Sequence, residues 1–351
     1  MASTIAVAKK EAERTTVLGY ASRLSAYANR GVTGLPELHD NARVLKTKLK
    51  TLKALVQAAS NVVALTGAGI SVAAGIPDFR GPQGIWTLED KAKREGDKRK
   101  KRKKNKIESV DTSIAGASFE TAEPTKTHLA LVALQKAGKL SFCATQNVDR
   151  LHITSGMPRD RLAILHGCVF TEQCETCDYE VVHDRDLGGV SFQSTGNLCP
   201  RCGDNMRDTV LDWNDGIQDQ EWEPSVSEFK NADLALCLGT SLRITPAADL
   251  PLMSKKFVII NLQQTPLDDR AALIIRANVD DVLTTLLSDL GISMRQTTTD
   301  TSSNNTHVLA TPHTSLSLSI SSSQRKKDVV AAIETTTSVD TTTTKKKRRR
   351  S

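Results

Sequence analysis

The chain has 351 residues, enough to bury a sizeable core, and its 39% hydrophobic content is typical of a soluble protein. No apolar run approaches the roughly eighteen residues of a membrane span, and the N-terminal stretch has mixed charge without the apolar core of a signal peptide. The sequence therefore predicts neither a membrane protein nor a secreted disulfide framework, so its seven cysteines need another explanation.

The net charge of +7 is concentrated in two short runs. Residues 98–106 hold eight Lys or Arg in nine positions, and residues 345–350 hold six in six. Removing these fourteen leaves 33 basic against 40 acidic residues, so the rest of the chain is mildly acidic. The terminal run favours a nuclear-import signal, with a solubility tag as the alternative, and nucleic-acid binding through either run would depend strongly on salt.

Residues 1–60 have helical patterning with a turn-rich interruption at residues 31–36, and we expect an N-terminal helical extension that packs on the core. The residues at helical spacing just before the first predicted strand are Leu45, Leu49, Leu52, Leu55 and Val56. This spacing predicts a stripe that faces the core.

From residue 61 to 292, short apolar runs alternate with helical segments. The runs are Val62–Leu65, Leu140–Ala144, Leu234–Leu238 and Phe257–Asn261. Their alternation with helices predicts an α/β fold, a Rossmann-type parallel sheet with helices on both faces.

Two segments interrupt this pattern, and a third follows it. Residues 89–118 are basic and then small and polar, which predicts a loop insert. Residues of about 168–210 contain paired cysteines in a polar, Gly-rich setting, which predicts a small inserted domain. Residues 293–351 are rich in Thr and Ser with little apolar content, so we expect a disordered tail.

The first predicted strand leads into a glycine turn. Gly67 and Gly69 allow a sharp turn and a close backbone approach, and Ser71 is placed to cap a helix. A strand, a glycine turn and a helix N-terminus form an anion site that suits the pyrophosphate of a dinucleotide. Val72 stands where the third glycine of a dehydrogenase fingerprint would be, and the loop at Pro77–Arg80 follows.

Two C-x-x-C pairs predict a zinc site. Cys174 and Cys177 are separated by 21 residues from Cys199 and Cys202, so two knuckles can bring four thiolates to one ion. Four sulfur ligands leave no open position, which makes the predicted zinc structural. Redox or disulfide cysteines are the alternative explanation.

Polar residues follow four predicted strands, which are three of the runs above and a further apolar run, Leu162–Leu165. At the carboxyl ends of parallel strands such groups meet at one edge of the sheet, where open α/β sheets bind ligands. Loop capping is the alternative for the amide and carboxylate groups, and a structural role is the alternative for the histidine. The segments are Gln146-Asn147-Val148-Asp149, His166-Gly167, Gly239-Thr240-Ser241 and Asn261-Leu262-Gln263.

Taken in order, these motifs resemble those of the sirtuins, the Sir2 family of NAD-dependent protein-lysine deacylases. The matching segments are GAGIS, GIPDFRG, TQNVDRLH, LHG, the two C-x-x-C pairs, GTS and NLQ, and the resemblance runs over roughly residues 18–292. Three further stretches look like the class IV, nuclear branch: Tyr20–Asp40, Gly84–Trp86 and Arg207–Trp213.

The resemblance implies a role for each matching residue. His166 is expected to act as the general base, with Asn147 and Asp149 orienting the nicotinamide ribose and carboxamide. The residues expected at the NAD site, from the glycine turn and the resemblance together, are Gly67, Ala68, Gly69, Val72, Asp78, Phe79, Arg80, Trp86, Gln146, Gly239, Thr240, Ser241, Asn261, Gln263 and Val279.

In the implied reaction, the acyl-lysine oxygen attacks the ribose C1′, nicotinamide leaves, and O-acyl-ADP-ribose forms. The expected substrate is a histone in the nucleus. Mono-ADP-ribosylation of protein at the same NAD site is one alternative, and a weakly active NAD- or ADP-ribose-binding chromatin scaffold is another.

Three features depart from the family pattern. Arg150 stands where the family usually has glycine, and it would strain the loop if that position has a positive φ. Cys168 replaces the usual asparagine after His166-Gly167, as a packed thiol or as an oxidation-sensitive one. The basic insert at 98–106 is expected to contact nucleosomal DNA or RNA.

Overall fold

The computed structural model describes residues 15–26, 30–100 and 118–294, with the backbone alone for residues 95–100. The predicted disordered tail from residue 295, the terminal basic run and residues 101–106 of the other basic run lie outside the described residues.

A six-stranded parallel sheet forms the centre of the fold, and its strands are β1 (Val62–Thr66), β2 (Phe142–Thr145), β3 (Leu162–Ile164), β8 (Leu234–Leu238), β9 (Phe257–Ile260) and β10 (Leu273–Ile275). The order of the strands across the sheet is β10-β9-β8-β1-β2-β3. The strand order reverses direction between β1 and β8, so a crevice opens there at the carboxyl ends of the strands. This is the predicted Rossmann-type sheet.

The α-helices begin and end as follows: α1 Val17–Arg23, α2 Ala42–Ala58, α3 Ile85–Lys100, α4 Lys126–Lys136, α5 Leu151–Thr154, α6 Asp219–Asn231 and α7 Val279–Leu290. No helix in the described part of the chain has the length and hydropathy that a membrane span requires.

Strand β1 shows how the central sheet builds its core. All five of its residues are buried. Val62 and Ala64 belong to one apolar cluster, whereas Val63 and Leu65 belong to another, because successive side chains of a strand point to opposite faces. A continuous apolar run is therefore what a strand covered on both faces requires.

Helix α2 covers one face, as the sequence predicts. Leu52 and Val56 are fully buried, and α2 packs against α7 and β10. Leu45, Leu49 and Leu55 are partly buried against the same cluster. The stripe of apolar residues before β1 is therefore a core-facing stripe.

The loop predicted over residues 89–118 is wrong in its first part, because α3 extends to Lys100. The segment is rich in Lys and Arg, which favour the helix even without an apolar face. Residues 101–117 lie outside the described part of the chain.

A second, four-stranded antiparallel sheet is inserted between β3 and α6, as predicted from the paired cysteines. The strands are β4 (Thr171–Cys174), β5 (Glu180–Val182), β6 (Ser194–Leu198) and β7 (Asn205–Asp208). Their order across the sheet is β5-β4-β7-β6. We call this sheet with its loops the cysteine module.

Candidate functional site

The turn after β1 is held close to the turn after β8. Gly67 and Gly69 donate backbone hydrogen bonds to Leu238 O and Gly239 O, at 3.1 and 2.9 Å. A Cβ on Gly69 would lie 2.8 Å from Gly239 O, and one on Gly67 would lie 2.8 Å from the Cβ of Thr240. Both positions therefore require glycine for the close approach of two backbones, as the sequence predicts.

The helix expected after this turn is not an α-helix. Two 3₁₀ turns, Ala68–Ile70 and Val72–Ala74, end at Gly75, which has a φ of 82°. Ser71 stands before the second turn, but its side chain makes no cap hydrogen bond. The prediction of Ser71 as a helix cap is wrong, because its hydroxyl is used elsewhere.

Ser71 joins the turn to the loop after β2. Its Oγ donates to Asp149 Oδ2 at 2.5 Å and accepts from Asn147 Nδ2 at 3.2 Å. Asp149 Oδ1 accepts from Leu151 N at 3.0 Å. Burial raises the pKa of the Asp149 carboxyl, and these hydrogen bonds oppose that rise. Asn147 and Asp149 are thus buried, oriented polar groups at the crevice.

His166 follows β3 and faces the same cavity. Its Nδ1 lies 3.1 Å from Gln146 O, and a carbonyl oxygen only accepts, so Nδ1 carries the proton and Nε2 is the unprotonated nitrogen. Burial lowers the pKa of His166 to about 4, which the Gln146 carbonyl partly opposes. The ring is therefore neutral near pH 7 and able to accept a proton at Nε2.

Gly167 forms the turn that directly follows His166 after β3. Its φ is 75°, and a Cβ there would lie 1.8 Å from Thr209 O. The backbone of His166 is also fixed from that side, because Leu211 N donates to His166 O at 3.1 Å. The cysteine module thus begins and ends against the histidine.

An aromatic wall forms another side of the cavity. The ring of Phe79 lies 4.8 Å from that of Trp86, and Trp86 lies 5.4 Å from Trp213, measured between ring centres. The guanidinium of Arg80 stacks on Trp86 at 4.4 Å, and Arg80 Nε donates to Arg30 O at 3.0 Å. Stacked rings and a buried guanidinium fix the shape of this wall.

Amide side chains at the remaining predicted strand ends also make hydrogen bonds around the cavity. Gln146 Nε2 donates to Thr240 Oγ1 at 2.8 Å. Asn261 Nδ2 donates to Gln263 O at 2.8 Å, and Gln263 Nε2 donates to Leu35 O at 2.6 Å. These amides hold the rim together while their residues line the cavity.

One cavity of about 200 Å³ brings most of the predicted site residues together. Those that line it are Gly67, Ala68, Gly69, Asp78, Phe79, Arg80, Trp86, Gln146, Asn147, Asp149, His166, Gly239, Thr240, Ser241, Asn261 and Gln263. Val72 and Val279 do not: Val72 is half exposed in the second 3₁₀ turn, and Val279 is buried at the start of α7. Asp78 lines the cavity while its Oδ1 accepts from Gly81 N at 2.9 Å.

Sequence reasoning missed several residues around this cavity. Val17, Tyr20 and Phe119 also line it, although Val17 and Tyr20 lie in the N-terminal extension and Phe119 follows the predicted loop. Arg276 was also missed; its Nη1 donates to Asn261 O at 2.8 Å and so holds that strand end. Local patterning gives no signal for these long-range contacts, except that Val17 and Tyr20 have helical spacing.

The four predicted zinc ligands meet in the cysteine module. Their sulfur atoms all lie within 4.8 Å of one another, with 3.3 Å between Cys174 and Cys202 and 3.6 Å between Cys177 and Cys199. Backbone N–H groups donate to the first sulfur of each pair, from Cys177 at 3.5 Å and from Arg201 at 3.4 Å. The cluster fits a structural zinc site with four thiolate ligands.

The other three cysteines are buried. Burial raises the pKa of Cys143 to about 12 and that of Cys168 to about 11, and it also raises the pKa of Cys237. Thiols with such pKa values are not ionised near neutral pH, so these are packed, unreactive side chains. For Cys168 this favours the packed thiol over an oxidation-sensitive one.

Comparison with known proteins agrees with this geometry. Residues 67–246 match the model of the Sir2 family. The NAD-dependent protein deacetylase SRT1 of Arabidopsis thaliana is 42% identical over 283 residues, which are 79% of this chain and 56% of that protein. The NAD-dependent protein deacetylase Sirt6 of Drosophila melanogaster is 39% identical over 288 residues, 78% of this chain and 85% of that one. The chain spans about half the length of the plant relatives that it matches.

Solved structures give the same match. A Sir2 structure with a deacetylated p53 peptide and 3′-O-acetyl-ADP-ribose has a TM-score of 0.51 and 29% identity, over 70% of this chain and all of that one. A Sir2 structure with a p53 peptide and NAD⁺ has a TM-score of 0.50 and 28% identity, over 70% of this chain and 99% of that one.

Proposed function

The chain belongs to the Sir2 family, and from that membership we propose that it is an NAD-dependent protein-lysine deacylase. The observation that carries the proposal is the arrangement of three polar residues that line the cavity. There His166, with Nε2 unprotonated, shares the lining with Asn147 and Asp149. A neutral imidazole and a pair of oriented polar groups are what a reaction at the ribose of NAD requires.

The lining fits a dinucleotide. Its polar groups stand at the ends of adjacent parallel strands, and its aromatic wall offers flat apolar surfaces. We expect the glycine turn at residues 67–69 with Thr240 and Ser241 to hold the phosphate and ribose region, and Asn147 and Asp149 to hold the nicotinamide end. Bound NAD would supply an activated ribose carbon and would be consumed.

His166 is proposed to move one proton. Nδ1 is held by Gln146 O, so Nε2 can take a proton from a hydroxyl placed in the cavity. Because the pKa of His166 is lowered to about 4, the ring is ready to accept that proton near pH 7 without first losing one. The aromatic wall of Phe79, Trp86 and Trp213 would limit the access of water.

The proposal is tested with purified protein, NAD and histone peptides that carry acetyl, succinyl or long-chain acyl groups. We expect nicotinamide release with formation of O-acyl-ADP-ribose, and loss of both in His166→Ala. His39→Ala is the matched control, because His39 is exposed and should be dispensable. Equal nicotinamide release by wild type and His166→Ala would refute the role of His166.

The same experiment separates the alternatives by their products. ADP-ribosylated protein without deacylated peptide, detected by mass spectrometry, would favour mono-ADP-ribosylation. NAD or ADP-ribose binding with no product would favour a scaffold.

We also propose that the substrates are nuclear, and histones first among them. The support is the basic terminal run at 345–350, which is typical of a nuclear-import signal. The run at 98–106 is proposed to contact nucleosomal DNA or RNA through its charge.

Deleting residues 98–106 tests the nucleic-acid contact. We expect weaker nucleosome binding and a shallower salt dependence, since fewer counterions are released. Unchanged, equally salt-dependent affinity would refute the contact. Deletion of 345–350 with a fluorescent fusion tests the import signal, and undiminished nuclear accumulation would contradict it.

A further inference from the structure

Arg150 has a backbone conformation that glycine adopts more easily than other residues. It follows Asp149, stands at the N-cap of α5 and has a φ of 65° and a ψ of −5°. Because this φ is positive, the arginine strains the loop, as the sequence analysis expects for such a conformation. An arginine at such a position needs compensating contacts, and its side chain makes them.

The side chain of Arg150 reaches into the cysteine module. Nη1 donates to His183 O at 2.5 Å, and the guanidinium carbon lies 4.0 Å from the centre of the Phe170 ring. Phe170 is fully buried and directly precedes β4, and His183 directly follows β5. One guanidinium therefore contacts the residues that flank β4 and β5 at the same end of the pair, with a hydrogen bond and a cation–π contact.

The contacts continue towards the second cysteine pair. His183 Nε2 lies 2.9 Å from Glu172 Oε1, and Glu172 Oε2 accepts from Asn197 Nδ2 at 2.9 Å. Asn197 stands on β6, two residues before Cys199. An unbroken chain of polar contacts thus runs from Arg150 to the strand that leads into the second knuckle.

On its other side, Arg150 adjoins the residues proposed to hold the nicotinamide end. Asp149 is fixed by Ser71 and by Leu151 N. The same loop is bonded to the module through its backbone, because Val169 N donates to Val148 O at 3.1 Å. The position of the loop therefore depends on the module at Val148 and at Arg150, the residues on either side of Asp149.

We propose that Arg150 is a positioning residue, which fixes the loop Asn147–Asp149 against the cysteine module so that the fold of the module sets the geometry of the nicotinamide end. The proposal rests on the proposed NAD-dependent function. The family usually has glycine at this position, and glycine has no side chain that could make these contacts.

The test compares two ligands. ADP-ribose lacks nicotinamide, so its affinity reports the rest of the site, whereas the affinity for NAD also reports the nicotinamide end. In Arg150→Asn, which keeps a residue tolerant of positive φ but removes the guanidinium, we expect NAD affinity to fall about tenfold and ADP-ribose affinity to stay unchanged. Turnover should fall with NAD affinity.

Arg150→Lys separates the guanidinium from the backbone. Lysine has a similar cost at positive φ and the same charge, but it lacks the planar fork, so we expect a loss of NAD affinity in the same direction. Arg185→Asn is the matched control, because Arg185 is an exposed arginine of the same module and should leave both affinities unchanged. Zinc content, measured for each variant, shows whether the module is intact.

Three results would overturn the proposal: equal loss of both affinities, loss of bound zinc in Arg150→Asn, or unchanged NAD affinity in that variant. A rise in turnover on Arg150→Gly would do the same, because it would show that arginine impairs the site. These results are distinct from failure of the proposed function. If wild type binds NAD but yields no deacylated product, the deacylase proposal fails, while the two affinities still test positioning.

Discussion

Arg159 joins the cysteine module to helix α6, and we expect its substitution to lower the free energy of unfolding. Its guanidinium pairs with Glu180 on β5 at 2.7 Å and with Glu221 on α6. Side-chain exposure is 14% for Arg159, 14% for Glu180 and 6% for Glu221, so all three groups are largely out of water. Glu221 also accepts from Ile164 N at 2.7 Å, two residues before His166.

Arg159→Met removes the charge and keeps much of the apolar stem. Two carboxylates then remain buried without their cation, and breaking a buried pair in this way costs about 3–5 kcal/mol of unfolding free energy. The pKa of Arg159 is raised, although burial alone would lower it, because Glu221 and Glu180 favour the charged form. The pKa of Glu221 is already raised by burial, against the opposing effect of Arg159.

The assay is urea denaturation at pH 7, followed by tryptophan fluorescence. Arg161→Met is the matched control: Arg161 is 48% exposed, its nearest carboxylate is 3.5 Å away on Asp160, and such surface pairs contribute about 0–1 kcal/mol. Adding Glu221→Gln to Arg159→Met should restore part of the stability, since one uncompensated charge is removed. A loss below about 1 kcal/mol in Arg159→Met would refute the reasoning.

Three further predictions concern zinc, a glycine and a histidine. The purified protein should contain one zinc ion per chain, and chelation should unfold the four-stranded module, seen as new protease cleavage within it; full activity without metal would contradict this. Gly69→Ala should lose NAD affinity and thermal stability, because its Cβ would lie 2.8 Å from Gly239 O, whereas Gly216→Ala has open space and should change neither. Burial lowers the pKa of His152 from 6.5 to about 4, so the unfolded chain takes up a proton first as the pH falls, and stability should drop by roughly 3 kcal/mol between those values. Urea denaturation across that range should show a shallower fall in His152→Gln, and an identical pH dependence would contradict the assignment.

The sequence predicted the sheet well because its signals are local. Each of the four apolar runs lies on a strand of the large sheet, and the spacing of the cysteine pairs is enough to bring four sulfurs together. Strand β10 was not predicted, although residues 271–275 form an apolar run that could have indicated it.

The site was predictable to the extent that it consists of strand ends. Parallel strands place their carboxyl ends at one edge, so Asn147, His166 and Thr240 were expected to meet, and they do line one cavity. Contributions from distant segments were not predictable. Phe119 reaches the cavity from a segment whose conformation no local pattern specifies, and the turn conformation after Gly69 depends on contact with Gly239.

The contact between the two glycine turns restricts which substitutions are tolerated at Gly69 and Gly239. A Cβ on Gly239 would lie 2.7 Å from Ile70 N, just as one on Gly69 would meet Gly239 O. Each glycine is therefore required by the backbone of the other turn, and no change of a side chain elsewhere can make room. In a mutagenesis library over residues 66–72 and 238–242 that is selected for activity, we expect substitutions of either glycine to be depleted. We expect no pair of substitutions to compensate for the loss of one.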